Sequence, residues 1–391
     1  MEGSLLYIGG FEPPDKNAAA QRVWANSLLF ESLGLRVILL GVSKSTTQFS
    51  RNKASKFLTY TKQYPSKPFQ WLTMLISIKE VESIVKNVKE HGEIKLIVAY
   101  NYPAIALLRL YYYTRRKNIK LIADCTEWPQ VENPRSFKEW IKNFDTTLRM
   151  RYVQPKLNGI IVISRYLKDY YAKKMSNVLL LPPLVNKSDA KWTYEGVIIP
   201  QDKIVMVYAG SPGNGGKDRL DLIVKALSRI SEKTNLRYEL KIVGIDKTQY
   251  LNDFDQETIP ANIESKLSFL GRIPHAQAVL LLKSAHYSIF VRDKNRITTA
   301  GFPTKFVESI SCGTPVLTNK SSNITDYLVT GENGFLLGNE FADLSKDFQL
   351  ALEQSTEKIM MMKNACRSTG IFDYTSYAQE LSVFSRQIGV L

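Results

Sequence analysis

From residue 5 to residue 337 the chain alternates short, unbroken apolar runs with stretches of helical periodicity, and few folds tolerate that pattern. The runs in the first half fall at 5–8, 37–40, 96–99, 121–123, 160–163 and 178–181. They are continuous Val, Ile, Leu and Ala rather than in–out alternations, as expected of strands buried on both faces of a parallel sheet. Between the first two, Val23, Leu28, Leu29 and Leu33 recur at helical spacing, and Gly34 stands where a left-handed residue ends such a helix. A second series follows at 204–208, 240–243, 267–270, 287–291, 316–318 and 335–337, with helical patterns at 219–230, 276–282 and 304–311. Pro182-Pro183 and the polar stretch 186–191 interrupt the rhythm like a linker. The spacing predicts an α/β chain of two doubly wound parallel-sheet domains, residues 1–185 and 200–372, with a last helix in 373–391. Tandem domains of this kind are expected to bind ligands in a cleft at the carboxyl ends of their strands.

Composition narrows the chemistry. Three cysteines (Cys125, Cys312, Cys366) make neither a disulfide framework nor a CxxC metal site, and three histidines are too scattered to cluster around a metal. No uncharged apolar run reaches the ~18 residues of a membrane span. MEGSLLYIGG lacks the basic start of a secretory signal, so a cytoplasmic protein is expected. Charge is the more pointed observation. The net charge is +15, and residues 1–190 hold 29 basic against 15 acidic residues, whereas 191–391 hold 23 against 22. One domain therefore carries nearly all the excess, which points to a polyanionic partner, either nucleic acid or an anionic membrane.

Two stretches of the second half suit phosphate. Tyr208-Ala-Gly210-Ser211-Pro-Gly213-Asn-Gly215-Gly216-Lys217 follows a strand and precedes a helix, so backbone amides and a lysine can surround an anion. It is neither a Walker A loop nor GxGxxG, since Asp218 follows the lysine. A glycine-rich turn with a solvated lysine is the alternative. The second stretch runs from Arg292 to Glu308. Pro303 suits the first turn of a helix, and Lys305 and Glu308 share a face three residues apart. A lysine there suits a diphosphate and a carboxylate one turn on suits ribose hydroxyls; a surface ion pair beside a solvated basic loop is the plainer reading.

The block Gly301-Phe-Pro-Thr-Lys-Phe-Val-Glu308-Ser-Ile-Ser-Cys-Gly313-Thr-Pro315-Val, followed by Gly331-Glu-Asn-Gly334-Phe-Leu-Leu, resembles the donor-site signature of retaining GT-B glycosyltransferases of the family-4 type. Residues 18–37, Phe269-Leu-Gly271-Arg272-Ile273 and Ile161-Val-Ile-Ser164 resemble other parts of that family in the same order. The resemblance implies two Rossmann-like domains in the GT-B arrangement and transfer of a sugar from a nucleotide diphosphate, UDP, with no further cofactor. It implies that Ser211, Lys217, Lys305 and the backbone of Phe302 and Thr304 hold the diphosphate and sugar. Glu308 would accept the ribose hydroxyls, Ile273 would read the base and Arg292 would approach the phosphates. Asn17 and Ala18 would face the donor from the other domain. The chain departs from the family pattern at Ala300, where a sugar-binding glutamate is usual, and at Ala18-Ala19, where glycines are usual. A histidine is absent from Asp124-Cys-Thr-Glu127-Trp128.

Fixed cations aimed at the departing phosphate can supply the charge a metal supplies elsewhere, so no metal is expected. Asp253 and Asp255 form a DxD in a polar, solvated stretch. Asp124, just past the strand 121–123, and Glu127 are the candidates to orient or deprotonate the acceptor, with helix capping as the alternative for Asp124. The resemblance implies a lipid-linked acceptor at the inner membrane face, and the basic first half, with Tyr111-Tyr-Tyr-Thr-Arg115-Arg116-Lys117 and the aromatic, cationic stretch 140–152, suits peripheral attachment there. A nucleotide-sugar epimerase and a nucleic-acid-binding protein are the rival readings; the second lacks any recognisable nucleic-acid motif.

Overall fold

The structure, a computed structural model, describes residues 3–14, 17–44, 50–52, 56–87, 92–129, 134–194, 196–212 and 217–391. The chain divides into two compact units. One holds Met1–Asn186, Ala300–Phe302 and Asp373–Leu391; the other holds Lys187–Thr299 and Pro303–Phe372.

The first unit is built on β1 (Ser4–Gly9), β2 (Arg36–Ser43), β3 (Ser50–Asn52), β4 (Leu58–Gln63), β5 (Ile94–Tyr100), β6 (Lys120–Cys125), β7 (Gly159–Val162) and β8 (Val178–Leu180). Their order in the sheet is β3-β4-β2-β1-β5-β6-β7-β8, parallel throughout except for β3 at the edge. Every residue of β1 is buried, as its unbroken apolar run predicts. The helix Ala18–Ser32 carries the chain from β1 to β2. Asn17 caps it, its side-chain oxygen accepting from the Ala20 amide at 2.8 Å. The helix presents Val23, Leu28, Leu29 and Phe30 to the sheet. Chain order reverses between β1 and β5, which makes their carboxyl ends the switch point of the sheet. Strands β3 and β4 escape the apolar-run criterion because β4 alternates Leu58, Thr59, Tyr60 and Thr61, the pattern of a strand next to an edge.

The second unit has six parallel strands: β9 (Ile204–Ala209), β10 (Tyr238–Val243), β11 (Leu267–Gly271), β12 (Tyr287–Phe290), β13 (Val316–Asn319) and β14 (Gly334–Leu337). They run in the order β11-β10-β9-β12-β13-β14, with the reversal between β9 and β12. Beyond Phe372 the chain joins the first unit. Its last helix, Ala378–Gln387, buries Leu381 and Phe384 in the same core as Val23 and Leu28. Both units are therefore the doubly wound parallel sheets that the alternating runs predict.

The two central strands of the second sheet are joined through His286. Its amide donates to the Val205 carbonyl at 2.8 Å, and its ring Nδ1 accepts from the Val205 amide at 3.0 Å. The ring is buried, and burial, with the nearby Lys363 charge, pushes its pKa down to about 4. The folded ring thus stays neutral where an unfolded histidine, near 6.5, would take a proton. Stability from this site is present above about pH 6.5 and is lost as pH falls towards 4, on the order of 3 kcal/mol in all. Urea unfolding between pH 7 and 4.5 should show that loss in the wild type. His286→Asn, which can keep the acceptor without titrating, should show a flatter slope; identical slopes would assign the acid sensitivity elsewhere.

Candidate functional site

At the switch point of the second unit one buried carboxylate collects its neighbours. Asp218 accepts from Arg292 Nε at 2.7 Å, from Lys305 Nζ at 2.5 Å and from the Tyr208 hydroxyl at 2.9 Å. Arg292 comes from the turn after β12, Tyr208 from β9, and Lys305 from the first turn of the helix Thr304–Ser311. The backbone fixes the convergence: the Arg219 amide donates to the Val291 carbonyl at 2.7 Å, and Asn319 exchanges two hydrogen bonds with the Arg292 main chain. Gly210, at φ +135, leaves room for Lys305, since a Cβ there would lie 2.6 Å from both Cε and Nζ. Nζ also stands 4.9 Å from the centre of the Tyr208 ring.

Burial by itself would raise the Asp218 carboxyl. The charges of Lys305 and Arg292 outweigh it and hold the group below the usual carboxylate value. Burial lowers the Lys305 amine, with Asp218 acting against the shift and Arg292 reinforcing it. Two cations face one anion, so the cluster keeps a surplus positive charge beside the N-terminus of the helix Thr304–Ser311. Such an arrangement can bind a second anion.

The structure brings together only part of the expected donor set. Lys305 and Arg292 converge. Glu308 lies one helical turn beyond Lys305, half-buried, with His275 Nε2 at 3.5 Å from its Oε1. Phe302 is buried just ahead of this helix, and Thr304 is its first residue. Ile273 is half-buried in the turn after β11. Ser211 and Lys217 are exposed on either side of residues 213–216, so the glycines of that loop lie outside the described residues. Asn17 uses its side-chain oxygen to cap the helix that Ala18 begins. The basic loop after β12 divides: Arg292 points inward, while residues 293–297 are exposed. Asp253 and Asp255 are both exposed. Among the described residues no group of three His, Cys, Asp or Glu side chains is placed to hold a metal. Asp218, Tyr208 and His275 are absent from the sequence-derived set; a lone acid after a glycine-rich loop gives no sign of two cations 74 and 87 residues further on.

In the first unit the expectation for Asp124 needs correction. Its strand continues to Cys125, and the side chain is wholly buried. It pairs with Arg22 through Nη2 at 2.8 Å and Nε at 3.0 Å, and accepts from the Tyr7 hydroxyl at 2.6 Å. Arg22 Nη1 is taken up by the carbonyls of Leu181 and Pro182. Asp124 is thereby saturated and ties helix 18–32 to the sheet, which leaves it no lone pair for an acceptor. Glu127 has the exposed position. Its neighbour Thr126 is held by Asn101 in both directions, at 2.7 and 3.2 Å, and the Asn101 carbonyl accepts from Arg149 at 2.9 Å. Glu127 lines a pocket of about 360 Å³ at the carboxyl ends of β1 and β5, together with Gly10, Lys62, Met74, Tyr100 and Asn101.

Asp218 offers a direct test. Asp218→Asn leaves Arg292 and Lys305 as adjacent, partly buried like charges. Urea melts should show a loss of roughly 3–5 kcal/mol, part of which Lys305→Met in the same chain should restore. A single variant as stable as wild type would remove Asp218 as the organising charge.

With this geometry in place, the relationships of the chain are informative. Residues 197–369 match the family described as Glycosyl transferases group 1. No curated protein sequence matches the chain. Among solved structures, it resembles sucrose-phosphate synthase of Thermosynechococcus elongatus, at a TM-score of 0.70 and 14% identity over 99% of both chains. It also resembles the catalytic domain of starch synthase IV of Arabidopsis thaliana, solved with ADP and acarbose, at 0.70 and 10% over 99% of this chain and 100% of that one. HepE of Anabaena, solved with UDP and glucose, matches at 0.63 and 15% over 97% and 98%. The two-sheet architecture is the GT-B fold of these structures, and residues 197–369, with the Asp218 cluster at their switch point, match the glycosyl transferases group 1 family.

Proposed function

We propose that the chain is a metal-independent, retaining glycosyltransferase of the family-4 type that moves a hexosyl group from a UDP-sugar to a hydroxyl of a lipid-linked saccharide in bacterial surface polysaccharide assembly. Residues 1–185 take the acceptor, residues 200–372 the donor, and residues 373–391 complete the first domain. The observation that carries this reading is the surplus positive charge of Arg292 and Lys305 around Asp218, next to the helix that bears Glu308. The UDP and glucose in the Anabaena relative support UDP as the nucleotide.

The reaction follows from where charge develops. The bond from sugar C1 to the phosphate oxygen breaks and its electron pair leaves with the UDP. Lys305, Arg292 and the helix amides are already oriented towards an anion, so they stabilise that charge without reorganising. Glu308 accepts from the ribose hydroxyls, with His275 beside it. The acceptor oxygen bonds to C1 as its proton passes to the Glu127 carboxylate. UDP at about 100 times its dissociation constant should stabilise the protein by roughly 2.7 kcal/mol in thermal melts, and Lys305→Ala should abolish the effect. UDP release from a panel of UDP-sugars, with bacterial lipid extract as acceptor source, should survive EDTA and fall ~100-fold or more in Glu127→Gln. A wild type that does not respond to UDP would refute the donor site.

Attachment to a membrane is supported by three helices of the first unit. Pro68–Ile76 exposes Phe69, Trp71 and Leu72; Ala104–Arg116 exposes Ile105 and Tyr112; Phe137–Leu148 exposes Phe137, Trp140 at 64% and Phe144 at 62%. The middle helix joins the others: Arg109 donates to the Ile76 carbonyl at 2.8 Å, and Asp145 accepts from the Ala104 amide at 2.7 Å. Lys138, Lys142, Arg115 and Arg116 lie exposed among these aromatics, the composition of an interfacial surface on anionic lipid. No helix among the described residues is long and apolar enough to cross a membrane. Flotation with phosphatidylglycerol vesicles, but not phosphatidylcholine vesicles, should recover the protein. Trp140→Ser with Phe144→Ser should lose it; equal flotation with both lipids would exclude the charge-assisted attachment.

A further inference from the structure

The pocket that Glu127 lines contains a second ionisable group for which the reaction as described has no use. Lys62 comes from β4 and lines the same 360 Å³ space at the ends of β1 and β5. Its side-chain amine makes no hydrogen bond or ion pair among the described residues, and burial lowers that amine below the ordinary lysine value against the weaker opposing influence of Glu80. Other buried lysines of this protein are satisfied. Lys363 donates to the Lys283 and Ala285 carbonyls, and Lys283 to the Thr193 carbonyl.

Other features of the pocket favour an anion. Ala19, in the first turn of the fifteen-residue helix Ala18–Ser32, forms part of the wall and brings the positive end of that helix to it. Gly10, also in the lining, leaves space beside it, since a Cβ there would meet nothing nearer than Met74 Cε at 3.9 Å. The Glu127 carboxylate repels an anion from its own side of the pocket, so a bound anion belongs at the Lys62 end and a reacting hydroxyl at the Glu127 end.

We propose that this pocket selects an acceptor bearing an anionic group, a phosphate ester or a carboxylate, with Lys62 as the counter-charge and Glu127 at the hydroxyl to be glycosylated. The assignment deepens the glycosyltransferase reading and rests on it. A lysine partly removed from water regains in such a complex the charge-assisted hydrogen bond it lacks in the free protein.

Calorimetric titration of the full chain, saturated with UDP, separates the possibilities. The probes are glucose, glucose 6-phosphate and glucuronate in solution, and a polyprenyl monophosphate in phosphatidylcholine vesicles. At least one anionic probe should bind about tenfold or more tightly than glucose, and Lys62→Gln should reduce that preference to within about twofold while leaving the Kd for UDP unchanged. A preference confined to the sugar phosphate or glucuronate identifies a soluble anionic acceptor, and one confined to the vesicles a lipid phosphate; both support the proposal. It is overturned if no anionic probe exceeds glucose, if Lys62→Gln keeps the preference, or if that variant loses UDP affinity, which would make Lys62 a donor contact. Failure of the wild type to bind UDP at all would instead defeat the donor-site reading.

Discussion

The donor-side architecture depends on a buried carboxylate shared by two cations. Unit charges about 4 Å apart interact by roughly 4 kcal/mol at the effective dielectric near a protein surface. Two attractions to Asp218 therefore outweigh the single repulsion between Arg292 and Lys305. This balance lets a strand end, a βα turn and a helix N-terminus, remote in sequence, meet at one point. Much else in the unit serves it. Gly210 vacates the volume Lys305 occupies, Asn319 pins the Arg292 main chain, and burial together with the Asp218 charge keeps the Tyr208 phenol protonated as a donor.

Topology explains why both units gather polar groups where they do. In a doubly wound sheet the chain leaves two adjacent central strands in opposite directions, and no connection covers their carboxyl ends. β9 and β12 meet in this way around Asp218; β1 and β5 meet in this way around the pocket that holds Lys62 and Glu127. The same geometry has opposite electrostatic results. In the first unit the buried ion is neutralised, because one cation, Arg22, pairs with Asp124 and its Nη1 ends on the carbonyls of Leu181 and Pro182. In the second unit a positive charge is left over.

The fold was legible because its strands are buried on both faces, and that signal lies in each run by itself. Every apolar run singled out in the sequence overlaps a strand, three of them (160–163, 178–181 and 287–291) running one residue past its end. The strands that were missed, β3 and β4, lie at an edge, where alternation with Thr59 and Thr61 replaces the run. The site was legible only in its local parts. Lys305 and Glu308 share a helix face, and Pro303 marks where that helix begins. What the sequence does not display is pairing across distance. Asp218 meets Lys305 across 87 residues, and Arg22 meets Asp124 across 102. The position of Asp124 was misjudged by the two further residues of its strand, a small error in boundary that moves a carboxylate from the open end of a sheet into its interior.

A buried charge in this protein marks function only when its account with its surroundings is incomplete. Lys363 is fully buried, and burial with the Arg367 charge lowers it to about 7, yet its ammonium ends on two carbonyls; it belongs to the scaffold. The Arg22–Asp124 pair is deeper than the Asp218 cluster and, like Lys363, is satisfied by internal partners, so it supplies position without reactivity. Desolvation costs several kcal/mol for each ion, and a fold meets that cost either with internal partners or by leaving the charge to a ligand. The surplus charge at Asp218 and the unpaired amine of Lys62 fall in the second class. Both stand at a switch point, where solvent and ligand have access and the sheet itself provides no further partner.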